Sequence, residues 1–149
     1  MIEYRKGDLL DVTSGIIIHG CNSHGVMGSG VALAVKNKYP GAYESYRNYI
    51  DESKDDQDLL GSVIVYEVND NLSVANMITQ KDFGTHKRQV NYGAIARGFD
   101  DLEEFYANAP GLVFHFPKIG AGLGGGDWEV IAEIIEQMCP NRRLVCWEL

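Results

Sequence analysis

Residues Ile119–Glu129, IGAGLGGGDWE, place five glycines within the seven positions 120–126. The run follows LVFHFPK, which reads as a strand, and precedes WEVIAEIIEQM, which reads as a helix burying Val130, Ile131, Ile134, Ile135 and Met138. Gly120, Gly122 and Gly125 match the G-x-G-x-x-G spacing of dinucleotide-binding loops. That fingerprint opens a βαβ unit and needs an acidic residue about 20 positions later for the ribose. Here 24 residues follow Gly125, room for one helix and one strand, so a nicotinamide-dependent dehydrogenase is not expected. The anion chemistry survives that exclusion. Glycines are entropically costly in ordered loops, and they let backbone N–H groups approach a phosphate ahead of a helix N-terminus.

A second stretch has the same grammar. GIIIHG (Gly15–Gly20) reads as a strand buried on both faces, because Ile16, Ile17 and Ile18 are consecutive β-branched residues. The loop that follows, within GCNSHGVMGSGVALAV (Gly20–Val35), holds Gly25, Gly28 and Gly30, and a helix is expected from about Val31. Two strand–glycine-loop–helix units in one short chain can grip a diphosphate from both sides.

Working outward, IEYRK reads as a first strand, and Pro40 ends the first helix or starts another. GAYESYRNYIDES sets Tyr43, Tyr46 and Ile50 on one helical stripe before a charged, solvated loop, DESKDDQD. GSVIVYEV and SVANMIT flank NDN as a hairpin. NYGAIARGFDDLEEFY spaces Tyr92, Ile95, Phe99, Leu102 and Tyr106 as a helix, and RRLVCWEL supplies a last strand. Strands alternating with helices, plus one hairpin, predict a single three-layer α/β domain over residues 1–149 with a mixed sheet.

Composition narrows the setting. The net charge of −8 lacks the broad positive field of a non-specific nucleic-acid binder, although a local basic patch is compatible with it. Cys21, Cys139 and Cys146 are odd in number and form no C-x-x-C pair, so no disulfide framework or zinc site is indicated. MIEYRKGDLL carries charge where a secretory leader needs an apolar run, and no apolar stretch spans a bilayer. A cytoplasmic, monomeric protein without metal or cofactor is expected.

With both glycine loops in place, the sequence resembles the macro domains, which bind ADP-ribose. KGDLLDVTSGIIIHGCNSHGVMGSGVA is similar to the family's opening, and FPKIGAGLGGGDWEVIAEII to its second phosphate loop and final helix. Within the family the strongest resemblance is to fungal-type ADP-ribose 1″-phosphate phosphatases. It extends to the terminal ADP-ribose protein glycohydrolase group and to phage macro proteins. The resemblance implies a three-layer α/β/α fold around a mixed, mostly parallel sheet of about six strands. It implies hydrolysis of ADP-ribose 1″-phosphate, with removal of ADP-ribose from macromolecules, or binding without chemistry, as alternatives.

The same resemblance assigns roles. Asp8 accepts from the adenine amino group, and Leu9 lies beside the base. Gly28, Ser29, Gly30 and Val31 form the first phosphate loop, and Gly120, Ala121, Gly122, Leu123, Gly124 and Gly125 the second. Asn22 contacts the distal ribose, where the chemistry occurs, and is a catalytic candidate there, with Gln80 a substrate-binding residue. The glycohydrolase group carries a lysine where this chain has Gln80, with Lys81 its neighbour, and an aspartate where it has Gly124. Its covalent mechanism is therefore not expected. His19, in the place of the family's first Asn, is read either as a catalytic acid–base or as a core histidine. Asp127 is read either as a helix-start acid or as part of the chemistry. His24 sits on the first loop. His86, Lys81, Lys87 and Arg88 belong to a segment suited to fold over the distal ribose, and His115 reads as a strand residue.

Overall fold

Ile16, Ile17 and Ile18 are completely buried, as a strand covered on both faces requires. They belong to β2 (Gly15–Asn22), which pairs in parallel with β4 (Leu72–Gln80) on one side and β5 (Phe114–Phe116) on the other. Beyond β5 lie β6 (Leu144–Glu148) and the edge strand β1 (Ile2–Lys6), both parallel; β3 (Val63–Glu67) closes the other edge antiparallel to β4. The sheet order is β1-β6-β5-β2-β4-β3. This computed structural model describes residues 1–55, 57–82, 88–122 and 124–149. Leu123, His86 and Lys87 lie outside the described residues.

Side-chain alternation assigns the faces. Ile16 and Ile18 pack with Ile95, Phe99 and Leu102 of α3 (Tyr92–Phe105) and with Ile131 and Ile135 of α4 (Trp128–Met138). Ile17 faces the other way, onto Val35 of α1 (Gly30–Lys38) and Ala42 of α2 (Pro40–Glu52). The result is helices on both faces of a mostly parallel sheet, the three-layer α/β/α arrangement expected. Pro40 takes the first turn of α2, where its missing N–H has no helical partner to lose.

Two expectations need correction. β2 continues beyond Gly20 to Asn22, because Cys21 and Asn22 still pair with Ile78 and Gln80. His19 is therefore inside the strand, not at its end. Val130 is 40% exposed, because α4 turns the Ile131–Ile135 row toward the sheet and Val130 away from it. The five parallel strands end at one edge of the sheet, where open α/β folds place ligands.

Candidate functional site

At that edge, beyond β2, β4 and β5, lies a cavity of about 670 Å³. It is lined by Gly28, Ser29, Gly30 and Val31 of the first loop, by Gly120, Gly122 and Gly124 of the second, and by Asn22, Thr79 and Gln80. The two glycine loops, about ninety residues apart in sequence, thus face one space.

Several of their backbone donors are unspent. Among the described residues, the N–H groups of Gly28, Ser29, Gly30 and Val31 donate to no protein acceptor, nor do those of Gly120, Gly122 and Gly124. The first helical turn always leaves such groups, and side chains normally cap them. Asn91 caps α3 by accepting from Ala94 N at 2.9 Å, and Asp127 caps α4 by accepting from Glu129 N at 2.9 Å. Ser29, at the head of α1, makes no such bond. Tyr39, at the head of α2, makes none either, but of these two helices α1 is the one whose first turn lines the cavity, with its positive end toward it.

Asp127 takes the place of the helix-start acid at the head of α4. It is exposed, it is an N-cap, and it does not line the cavity. Ala121 and Gly125 also stay off the cavity; their N–H groups hold the loop, donating to Lys118 O at 3.2 Å and Gly122 O at 3.1 Å. Gly120 is in the left-handed region, φ 74°, and an added Cβ would lie 2.5 Å from Val90 Cγ2. Asp8 caps the short 3-10 turn Leu9–Asp11, accepting from Leu10 N at 2.9 Å, and Leu9 is buried; both lie at the same sheet edge but outside the cavity lining.

Asn22 and His19 border the cavity with their polar atoms engaged. Asn22 Oδ1 accepts from His24 N at 2.9 Å and Val26 N at 3.3 Å, and Nδ2 donates to Val26 O at 2.8 Å, so this side chain shapes the first loop. His19 has no exposure, and its Nε2 lies 2.6 Å from Asn76 Oδ1. Asn76, equally buried, donates from Nδ2 to Ala42 O at 3.1 Å and Ile64 O at 3.2 Å, linking β2, β3, β4 and α2. Burial holds the imidazole neutral, its pKa pushed down to about 4 despite the Asn76 bond. The ring is fully buried, with Nε2 on Asn76 and Nδ1 3.8 Å from Cys21 Sγ. Gln80 lines the cavity and donates from Nε2 to Asp82 O at 2.6 Å. Among the described residues, no group of three or more His, Cys, Asp or Glu side chains is placed to hold a metal ion.

The macro domain family model matches residues 18–135, which include both glycine loops and the core of the sheet. The chain belongs to the macro domain family. An ADP-ribose 1″-phosphate phosphatase of Candida albicans is 30% identical over 87% of this chain and 88% of its own length. A DNA ADP-ribosyl glycohydrolase of Thermus aquaticus is 27% identical over 92% of this chain and 37% of its own. A solved structure from Bacteroides thetaiotaomicron, titled as a protein of unknown function, superimposes with a TM-score of 0.89 at 30% identity, covering 100% of this chain and 98% of that one.

The macro domain scaffold also recruits residues that carry no sequence motif. Asn76 is one, in the middle of a hydrophobic strand. Tyr46 of α2 is another: its hydroxyl donates to Asn22 O at 2.5 Å and accepts from Gly25 N at 3.1 Å, fixing the first loop from below. Gln89 donates its backbone N–H to Gly124 O at 2.8 Å beneath the second loop, and its Nε2 is buried without a partner.

His19 makes stability pH-dependent. Its folded pKa is depressed from 6.5 to about 4, so the unfolded chain binds the proton first as pH falls. Its contribution is complete above the unfolded pKa and is lost as pH drops through the folded one, about 3 kcal/mol in all. Urea unfolding between pH 7 and pH 4 is expected to show this slope in the natural protein and a shallower one in His19→Gln, which has no ionisation there. Equal slopes would contradict it.

Proposed function

We propose that this macro domain binds ADP-ribose and hydrolyses the terminal phosphate of ADP-ribose 1″-phosphate. The observation that carries the reading is the pair of unpartnered N–H arrays facing one cavity: neutral backbone donors suit a diphosphate in a protein of net charge −8. In this reading the diphosphate lies between Gly28–Val31 and the Gly120–Gly125 loop. The adenine lies toward Asp8 and Leu9, where a carboxylate accepts from the exocyclic amine. The distal ribose lies over Asn22 and Gln80. Holding both ends of the diphosphate positions the phosphomonoester for attack by water.

Gln80 favours this reaction over removal of ADP-ribose from a macromolecule through a lysine–aspartate pair. An amide occupies the lysine place, and Gly124 has no side chain to act. The DNA ADP-ribosyl glycohydrolase relatives keep that second reaction as the rival, and binding without turnover is the third reading. Three cysteines, all unpaired and buried, suit a cytoplasmic protein.

Calorimetry with ADP-ribose and release of phosphate from ADP-ribose 1″-phosphate test the reading together. Binding and release are both expected. Asp8→Ala should weaken ADP-ribose binding by about 10- to 100-fold, the loss of a charge-assisted hydrogen bond. Binding without release, or release only of ADP-ribose from modified DNA or protein, would replace the phosphatase reading by one of its rivals. Absence of ADP-ribose binding would remove all three.

A further inference from the structure

Thr79 carries a hydroxyl that the fold does not use. It stands near the end of β4, is 1% exposed, and lines the cavity. A buried hydroxyl ordinarily has a partner, because leaving it without one is costly. Its neighbours on the strand are engaged: Thr79 O accepts from Asn91 N at 2.7 Å, Gln80 Nε2 donates to Asp82 O at 2.6 Å, and Asn76 Nδ2 donates to Ala42 O and Ile64 O. Thr79 Oγ1 makes no hydrogen bond within the protein. Nor is it sealed. Among the described residues, Gln89 Nε2 is the one side-chain polar atom both unpartnered and shut off from solvent. The Thr79 hydroxyl is therefore reached from the space that the residue lines.

The adjacent strand keeps that space clear. A Cβ on Gly20 of β2 would lie 2.8 Å from Thr79 Oγ1 and 3.3 Å from Ile119 Cγ2. Gly20 has no positive φ, so its backbone does not call for glycine; a side chain there would cover the hydroxyl. Gly20, Thr79 and Ile119 all line the cavity. Strand order says which part of a ligand meets the hydroxyl. Asp8 follows β1 at one edge of the sheet, the two glycine loops follow β5 and β2, and Thr79 lies on β4, one strand further. A ligand with its adenine at Asp8 and its diphosphate between the loops carries its far end toward β4. The chemistry agrees: backbone N–H groups only donate, which suits phosphate oxygens, whereas a threonine hydroxyl donates and accepts, which suits a sugar hydroxyl.

We infer that Thr79 recognises the distal ribose, its hydroxyl sharing a hydrogen bond with a ribose hydroxyl; the inference rests on the ADP-ribose-binding part of the reading above and not on the chemistry that follows binding. Thr79 is a specificity-determining residue. A ligand that ends at the diphosphate leaves its hydroxyl unpaired on a buried floor, and one that carries the ribose satisfies it. Gly20 serves the same contact by leaving the hydroxyl uncovered.

Calorimetric affinities for ADP-ribose and for ADP test this, measured on the full chain and on Thr79→Val and Thr79→Ser, with thermal melts alongside. Valine keeps the shape and removes the hydroxyl; serine keeps the hydroxyl. Thr79→Val should lose about 10-fold in ADP-ribose affinity, the order of one hydrogen bond, while its ADP affinity changes by less than about 2-fold. Thr79→Ser should restore most of the ADP-ribose affinity. Thr79→Val should melt no lower than the natural protein, because the hydroxyl has no protein partner to lose. Unchanged ADP-ribose affinity in Thr79→Val, or an equal loss for both ligands, would overturn the inference. A lowered melt in Thr79→Val that serine rescues would also overturn it, by assigning the hydroxyl to the fold. A natural protein that does not bind ADP-ribose would instead overturn the ADP-ribose reading, an outcome distinct from binding that ignores Thr79.

Discussion

Replacing Gly122 by valine is expected to weaken ADP-ribose binding by at least about 100-fold, or about 2.7 kcal/mol, while leaving the fold as stable as before. Among the described residues, none beyond the chain neighbours lies within 4 Å of a Cβ at this position, and the backbone is outside the left-handed region, so the side chain meets no clash with them. Gly122 lines the cavity and its N–H has no acceptor among the described residues, so the added branched side chain fills the space where the proposed diphosphate lies. The neighbouring glycines would not separate binding from folding. A Cβ on Gly124 would sit 2.7 Å from Gly120 O, and Gly120 itself needs its positive φ. Calorimetry and a thermal melt on Gly122→Val make the check. Retained affinity would move the ligand away from the second loop, and a collapsed melt would mean that the position is structural.

Arg142→Leu is expected to destabilise the protein by about 3–5 kcal/mol, the cost of breaking a buried ion pair from one side. The side chain is 3% exposed and spends its guanidinium on α3. Nε and Nη2 donate to the Glu103 carboxylate at 2.5 and 3.2 Å. Nη2 and Nη1 donate to carbonyls at and beyond the end of that helix: Tyr106 at 3.1 Å, Ala109 at 2.5 Å and Leu112 at 3.1 Å. The last turn of α3 has no basic residue of its own, so Arg142 supplies both the positive charge and the donors that a helix C-terminus lacks. Urea midpoints measure the loss. Arg142→Lys should recover only part of it, because one ammonium cannot reach a carboxylate and three carbonyls at once. A loss below about 1 kcal/mol would show that Glu103, a quarter exposed, simply turns to water.

The fold was largely legible because its signals are local and repeated. Ile16–Ile18 announce a strand covered on both faces, the Ile95, Phe99 and Leu102 spacing announces a helix, and NDN announces a hairpin turn. The phosphate loops were legible for a related reason: glycine density records close backbone approach whatever the loop's partner. The acid–base residues were less so. His19 and Asp127 read equally well as chemistry or as structure, since residue type does not say whether an imidazole faces solvent or Asn76, or whether a carboxylate meets a ligand or the N–H of Glu129.

What the sequence determined by itself is the set of elements and the two anion-seeking loops, because hydrophobic period and glycine content are properties of a chain segment. What only tertiary structure decided is which donors those loops leave unspent and which side chains are already engaged. Gly122 and Gly124 are equivalent letters until Gly120 O is seen against Gly124 and, among the described residues beyond the chain neighbours, nothing within 4 Å of a Cβ on Gly122. Gly20 and Thr79 stand far apart in sequence, and only the parallel pairing of β2 with β4 sets the hydroxyl of one beside the bare backbone of the other. A hydrogen bond depends on distances of a few tenths of an ångström between segments remote in sequence, and those distances exist only once the sheet has formed.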